Sequence, residues 1–207
     1  MKKEIRTVIF DMGRVLMDFS YEKVLSPWFP DPEDRRMMQG ILFDSGDWGR
    51  ADSGTPSEEE ILAKWLGETP ERLRGALREM FANWHTLLTP VEGMTELIRE
   101  LKAAGYGCYL LSNTSMRFFT YWQQVEALCL LDGRFISAEH GLLKPDLAIY
   151  RNMTGLYGLD PEACYFVDDT LENVEAARSV GMRGFHFRTY DVEALRRDMK
   201  QEGIRIA

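Results

Sequence analysis

The sequence predicts an α/β fold, with a doubly wound parallel sheet and a helical cap inserted after the first strand. Three observations support this prediction. Short, unbroken apolar runs recur along the 207-residue chain, amphipathic helical segments separate most of them, and the long stretch after the first run contains helical patterns only. Strands that alternate with helices are typical of a parallel sheet covered on both faces.

The composition is that of an ordinary globular chain, with 45% hydrophobic and 28% charged residues. With a net charge of −8, the chain lacks the positive electrostatic field that nucleic-acid binding needs, so no nucleic-acid partner is expected. No apolar run approaches the ~20 residues of a membrane helix, and the first run stops at Asp11, too early for an export signal. The three cysteines (Cys108, Cys129, Cys164) are odd in number and lie in or beside apolar runs. They are therefore expected to be buried free thiols, as in a reducing compartment. We therefore predict a cytoplasmic protein without a membrane partner.

Five apolar runs predict the strands of the sheet. None of them alternates with polar residues, which is typical of strands buried on both faces of a parallel sheet. The runs are Thr7–Phe10, Cys108–Leu111, Phe135–Ile136, Tyr165–Val167 and Gly184–Phe187.

Helical patterns fill the gaps between most of these runs. Apolar residues at spacings of three and four predict helices over 94–101, 149–157 and 171–180. Gly105 and Gly181 follow the first and the last of them, as expected at helix ends. The alternation of strand and helix makes the predicted sheet Rossmann-like.

Residues 16–88 interrupt the alternation. Ser57 and Glu60 have the spacing of a capping box, and Thr69-Pro70 predicts a second helix start with Thr69 as the N-cap. Apolar residues at helical spacing follow both. We therefore predict a core domain formed by 1–15 and 89–207 and a helical cap formed by 16–88. Trp48 is expected to pack between cap helices, from a loop over 44–54.

Polar residues follow the predicted strands at four places: Asp11, Ser112-Asn113-Thr114, Lys144 and Asp168-Asp169. Because the carboxyl ends of parallel strands share one edge of the sheet, these side chains are expected to converge. Paired acids beside a lysine suit Mg²⁺ together with a phosphate group. An ionised aspartate can also attack phosphorus directly. The edge is therefore the predicted active site.

These segments resemble the four motifs of the haloacid-dehalogenase-like (HAD) hydrolase superfamily, in the right order. The motifs correspond to Val8–Leu16, Leu110–Thr114, Lys144–Asp146 and Phe166–Asn173. The position of the helical insertion also matches the cap of one subgroup. That subgroup resembles sugar-phosphate phosphatases and the amino-terminal domain of epoxide hydrolases.

The resemblance implies that Asp11, Ser112 and Lys144 are catalytic, with Asp11 as the nucleophile that forms an aspartyl-phosphate. It also implies that Ser112, Asn113 and Lys144 bind the phosphoryl group of the substrate. Lys144 would neutralise both the nucleophile and the phosphate.

The resemblance further implies a Mg²⁺ site formed by Asp11, the backbone carbonyl of Gly13, Asp168 and Asp169. Asp169 would be the main ligand from the fourth motif, and Asn173 would stand beside the site as a supporting partner. Mg²⁺ is therefore the predicted cofactor.

Gly13 departs from the pattern of the superfamily. Phosphatases of the superfamily usually carry a second Asp there, which acts as general acid and base. Loss of such a group costs about 10²–10⁴ in rate. From Gly13 alone we expect a preference for good leaving groups and slow release of the aspartyl-phosphate.

The predicted function is that of a Mg²⁺-dependent phosphomonoesterase acting on a small phosphorylated metabolite such as a sugar phosphate. Two alternatives stay open: a 2-haloacid dehalogenase, and a phosphate-binding or regulatory protein with impaired catalysis. A phospho-receiver domain is disfavoured because its acid pair precedes the phosphorylated Asp, whereas Asp168-Asp169 come last. The roles of Arg14, Trp48 and Arg50 and the oligomeric state are left open.

Overall fold

A five-stranded parallel sheet forms the centre of the molecule, in a computed structural model that describes residues 3–206. The strands in this range are β1 (Thr7–Phe10), β2 (Met17–Asp18), β3 (Thr89–Pro90), β4 (Gly107–Ser112), β5 (Gly133–Ile136), β6 (Cys164–Asp168) and β7 (Arg183–His186). The sheet has the order β5-β4-β1-β6-β7, and every neighbouring pair in it is parallel. The predicted α/β fold with a doubly wound parallel sheet is confirmed.

The helices surround this sheet and fill the segment between β2 and β3. Along the described chain they are α1 (Tyr21–Leu25), α2 (Pro32–Gln39), α3 (Asp47–Ala51), α4 (Glu58–Glu68), α5 (Arg74–Asn83), α6 (Met94–Ala103), α7 (Phe118–Tyr121), α8 (Glu126–Cys129), α9 (Ser137–His140), α10 (Leu147–Tyr157), α11 (Leu171–Ser179) and α12 (Val192–Gln201). A π-helical turn (Gly40–Asp44) follows α2, and short 3₁₀ turns lie at Glu71–Leu73, Trp84–Leu87, Trp122–Gln124 and Pro161–Ala163.

The two faces of the sheet carry separate hydrophobic clusters. Val8 and Phe10 of β1 pack with residues of α6 and α12 on one face. Ile9 packs with residues of α10 and α11 on the other face. This division follows from the two-residue period of a strand, which sends alternate side chains to opposite faces. The inner strands β1 and β6 are buried along their length, whereas β7 is half-buried throughout because it lies at the edge.

Helices α1–α5, with the residues that connect and flank them from Phe19 to Trp84, have a hydrophobic cluster of their own, and we call this segment the cap. The antiparallel pair β2–β3, which the sequence did not predict, joins the two ends of the cap segment. The capping box at Ser57 and Glu60 is confirmed by two hydrogen bonds, of 3.2 and 2.8 Å. The division of the chain at 16 and 88 stays a prediction.

Three local predictions are wrong. Thr69 ends α4 instead of beginning a helix: its hydroxyl donates to the Trp65 carbonyl at 2.7 Å, and it has the extended backbone that a following proline favours. The predicted loop over 44–54 contains α3. Cys129 is exposed, whereas Cys108 and Cys164 are buried as expected, and all three thiols are free.

Within residues 3–206, no helix is long and apolar enough to cross a membrane.

Candidate active site

The carboxyl edge of the sheet brings the predicted site residues together. Asp11 directly follows β1, Ser112 ends β4, and Asp168 ends β6 with Asp169 next to it. Lys144 reaches the same point from the loop between α9 and α10. The convergence follows from the parallel register, because β1 lies between β4 and β6.

Lys144 links two of the carboxylates inside the protein. Its Nζ donates to Asp11 Oδ1 at 2.6 Å and to Asp168 Oδ2 at 2.7 Å. Burial raises the pKa of Asp11, and the positive charge of Lys144 opposes that rise. Burial by itself would lower the pKa of Lys144, but the two carboxylates outweigh it and raise that pKa. The lysine therefore stays charged beside Asp11.

Asp168 is fully buried, and its two oxygens are occupied within the protein. Oδ1 accepts from the Thr170 backbone N–H at 2.8 Å and from Asn173 Nδ2 at 3.0 Å. Oδ2 accepts from Lys144 and, at 3.2 Å, from Asn173. Asp168 therefore holds Lys144 in place, and Asn173 lies beside the site as predicted.

Asp169 is less enclosed than Asp168. Burial raises the pKa of its carboxyl, and the negative charge of Asp168 adds to that rise. Its Oδ2 pairs with Arg14 Nη1 at 3.1 Å, which gives Arg14 a partner at the site. Carboxylate oxygens of Asp11, Asp168 and Asp169 lie within 4.8 Å of one another. Such a set of oxygen ligands suits a hard divalent cation, which would also offset the mutual repulsion of the acids.

Asn113 has a structural task. Its Nδ2 donates to the Lys144 carbonyl at 3.0 Å, and its Oδ1 accepts from the Lys144 backbone N–H at 2.9 Å. The side chain therefore fixes the loop that presents Lys144. Ser112 is buried to 1% exposure and lines the cavity described below.

A cavity of about 270 Å³ opens above these residues, between the sheet edge and the cap. Aromatic side chains of the cap line it. We call the following rings the aromatic wall: Phe19, Trp48, Trp65, Phe81 and Trp84. The Trp48 ring is stacked on that of Trp65 at 6.0 Å and meets Trp84 edge-on at 5.2 Å between ring centroids. Trp48 thus packs among cap side chains, as predicted, and also lines the cavity.

The cap also brings two acids to the cavity that the sequence analysis did not select, Asp52 and Glu58. Glu58 accepts from Ser115 Oγ at 2.6 Å and from Arg117 Nη2 at 2.6 Å. Burial raises the pKa of Asp52 to about 8, and the charges of Asp11 and Glu58 contribute to the rise. Spacing in the sequence gives no signal for this placement, because it depends on how the cap lies on the core.

The histidines and Arg50 do not line the cavity. His186 is half-buried in β7, with Nε2 at 2.8 Å from the Asp169 backbone oxygen, as expected for a packed strand residue. His85 stacks on Tyr121 and His140 stacks on Phe135. Arg50 forms an ion pair with Asp47 in α3. In the described chain, the three acids at the sheet edge form the one cluster suited to a metal ion.

A protein-family model described as haloacid dehalogenase-like hydrolase matches residues 5–181. The match covers most of the chain, and the chain therefore belongs to the haloacid dehalogenase-like hydrolases. This confirms the resemblance found in its four motifs.

Two curated relatives are phosphoester hydrolases by name. Sesquiterpene phosphatase astK of Aspergillus oryzae is 30% identical over 185 residues, which are 87% of this chain and 89% of the relative. Flavin mononucleotide hydrolase 1 of Arabidopsis thaliana is 26% identical over 160 residues, or 77% of this chain, and the match spans 63% of that protein.

Solved structures share the fold. The HAD family enzyme bt-2542 of Bacteroides thetaiotaomicron superimposes with a TM-score of 0.70 at 21% identity, covering 93% of this chain and 98% of its own. A mutant form of that enzyme has been solved with magnesium and inorganic phosphate.

Proposed function

We propose that the protein is a Mg²⁺-dependent phosphomonoesterase that uses Asp11 as its nucleophile. The observation that carries the proposal is the buried contact of Lys144 with Asp11 and Asp168, beside Asp169 and at the floor of a cavity. The relatives named as phosphatase and hydrolase of phosphorylated compounds support it.

In this proposal Asp11, Asp169 and the backbone carbonyl of Gly13 would hold the ion. Asp168, predicted as a further ligand, contributes instead by fixing Lys144, because both of its oxygens accept hydrogen bonds within the protein. The cation supplies positive charge that lets a phosphate group approach the acids. Asp11 attacks phosphorus, and the bond between phosphorus and the leaving-group oxygen breaks. Lys144 and the Ser112 hydroxyl stabilise the phosphoryl oxygens as charge shifts onto them. Water then releases phosphate from the aspartyl-phosphate and restores Asp11.

The aromatic wall favours an apolar leaving group over a sugar. Burial of apolar surface contributes about 25 cal/mol per Å², and rings of this kind offer few partners for sugar hydroxyls. The volume of about 270 Å³ lies near the lower end of ligand pockets, roughly 300 Å³. The sesquiterpene and flavin in the names of the two relatives also combine phosphate with a large apolar or aromatic group. We therefore infer a small phosphate ester with an isoprenoid or aromatic part. Cytoplasmic location stays a prediction.

The test is phosphate release from farnesyl phosphate, 1-naphthyl phosphate, flavin mononucleotide and glucose 1-phosphate, with Mg²⁺ and with EDTA. We expect Mg²⁺-dependent release that Asp11→Asn abolishes, with kcat/KM at least tenfold higher for the apolar esters than for the sugar phosphate. A preference for glucose 1-phosphate would contradict the inferred leaving group.

The same assay distinguishes the two alternatives. Halide release from 2-chloropropionate without metal would show a dehalogenase. Binding of Mg²⁺ and phosphate by a folded protein that hydrolyses none of the esters would show a regulatory or binding protein. Either result would overturn the phosphatase proposal.

A further inference from the structure

The cavity needs a proton donor that the core does not supply. An alkoxide leaving group is expelled slowly unless an acid protonates its oxygen. Gly13, two residues after the nucleophile, has no side chain, although a Cβ there would meet no atom within 4 Å. Asp11 is the attacking group, and the other two core acids are engaged with Lys144 and Arg14.

The cap contributes two carboxyl groups to the described lining of the cavity, Asp52 and Glu58. Both oxygens of Glu58 are occupied, one by the Ser115 hydroxyl and the other by the Arg117 guanidinium. Asp52 is therefore the cap carboxyl that can act on a bound ester.

Asp52 is held against the core although it belongs to the cap. Its backbone carbonyl accepts from Ser137 Oγ at 2.5 Å, and Ser137 is fully buried. Two residues later, Gly54 has a φ of +78°, and a Cβ there would lie 2.5 Å from the Ala138 carbonyl oxygen. Only glycine allows so close an approach in this conformation. These contacts fix the end of α3 relative to the strand ends.

The surroundings of Asp52 favour its protonated form at neutral pH. Burial raises the pKa of Asp52 to about 8, the negative charges of Asp11 and Glu58 add to the rise, and Lys144 opposes it. A hydrogen bond from the Ser115 backbone also favours the carboxylate. Burial raises the pKa of the Tyr121 phenol, and the negative charge of Asp52 adds to that rise, so the phenol stays neutral.

We propose that Asp52, delivered by the cap, is the general acid and base of this enzyme, an inference that rests on the proposed phosphatase function. As Asp11 attacks phosphorus and the ester bond breaks, the Asp52 carboxyl gives its proton to the leaving oxygen and an alcohol departs. The Asp52 carboxylate then takes a proton from the water that attacks the aspartyl-phosphate. Phosphate leaves, Asp11 is restored as a carboxylate, and Asp52 is again protonated. The inference replaces the expectation drawn from Gly13 alone.

The experiment compares Asp52→Asn with the wild type on two esters in Mg²⁺: an alkyl phosphate, which needs a proton on its leaving group, and p-nitrophenyl phosphate, which does not. The matched control is Asp44→Asn, an exposed cap carboxylate outside the cavity. We expect kcat/KM of Asp52→Asn to fall about 10²-fold or more for the alkyl ester and less than about tenfold for the nitrophenyl ester. Rapid mixing of this variant with the nitrophenyl ester should give a stoichiometric burst, because water attack is slowed.

A second variant keeps the test independent of folding. The backbone at Gly13 leaves room for a side chain. Adding Gly13→Asp to Asp52→Asn should therefore raise kcat/KM for the alkyl ester at least tenfold above that of Asp52→Asn alone. The wild-type kcat/KM for the alkyl ester should fall as the pH rises through about 8, since the acid must be protonated, and Asp52→Asn should lack this fall.

Equal losses for both esters, or no loss for the alkyl ester, would overturn the role of Asp52 while leaving the phosphatase function intact. A wild-type protein that releases no phosphate from either ester would overturn the proposed function itself, and the inference with it.

Discussion

The sheet edge and the cap meet at one cavity, but they contribute to it differently. On the core side, the buried Lys144 ammonium donates to the carboxylates of Asp11 at 2.6 Å and Asp168 at 2.7 Å. On the cap side, the lining includes the five rings of the aromatic wall. In the proposed function, the core side acts on the phosphoryl group. The cap side binds the leaving group of the ester. The comparison predicts that changes on the two sides affect different quantities.

The largest effect is expected on the core side, for Lys144→Met. This change leaves Asp11 and Asp168 buried without their cation, so we expect a loss of about 3 kcal/mol in unfolding free energy. We also expect kcat/KM to fall about 10³-fold, because the charge beside Asp11, the proposed nucleophile, is gone. Urea denaturation in EDTA and phosphate release in Mg²⁺ measure the two effects.

Lys64→Met is the control, since Lys64 pairs with the buried Asp47 inside the cap at 2.5 Å and does not line the cavity. It should keep the activity and lose less stability. The comparison of core and cap fails if Lys64→Met lowers kcat/KM as much as Lys144→Met does.

An intermediate effect is expected in the aromatic wall, for Trp48→Ala. Trp48 is partly buried in the cap cluster and lines the cavity, so its loss removes about 1.5–3 kcal/mol of apolar contact with a bound ester. The KM for 1-naphthyl phosphate should therefore rise roughly 10- to 100-fold, with little change in the inhibition constant of inorganic phosphate. Steady-state kinetics with phosphate as a competitive inhibitor measure both.

Trp28→Ala is the matched variant, because Trp28 packs against the same cap cluster without lining the cavity. A similar rise in KM for Trp28→Ala would mean that the effect comes from cap stability instead of ligand contact.

The smallest effect is expected where the two sides are joined, for Asp18→Asn. Asp18 accepts hydrogen bonds from Lys23 at 2.8 Å and from the Tyr190 hydroxyl at 2.8 Å, and the bond from Lys23 lowers the pKa of Asp18 below 3.8. A lowered pKa in the folded state stabilises the protein above the unfolded pKa, near 4, and this contribution is lost as the pH falls through the folded pKa.

The unfolding free energy of the wild type should therefore exceed that of Asp18→Asn by about 0.5 kcal/mol at pH 6. The effect is small because the Asp18–Lys23 pair is partly exposed, and the difference should vanish in acid. Urea denaturation between pH 6 and pH 3 measures it. A difference that grows as the pH falls would contradict the assignment.

The strands and the core side of the site could be predicted from the sequence for a physical reason. Unbroken apolar runs such as Thr7–Phe10 have few alternatives to a buried parallel strand. Once the strands are parallel, the residues that follow them must share one edge. Asp11, Ser112 and Asp169 therefore follow from local pattern and topology together.

The remaining features depend on contacts between segments distant in the chain. Nothing in the sequence indicated that the Asn113 amide binds the backbone of Lys144, 31 residues away, and its predicted contact with the substrate stays a prediction. Thr69 was misassigned because its hydroxyl and the proline after it suit either end of a helix until the neighbouring turns are known.

The sequence by itself determined the fold class, the order of the strands along the chain and which acids and lysine meet at the edge of the sheet. These depend on hydrophobic periodicity and on the short distance between a strand and the residue that ends it. Only the tertiary structure decided that Asp52, Trp48, Trp65 and Trp84 line the cavity beside Asp11. The physical reason is that these positions depend on how the cap packs on the core, through contacts such as that of Gly54 with Ala138, 84 residues apart.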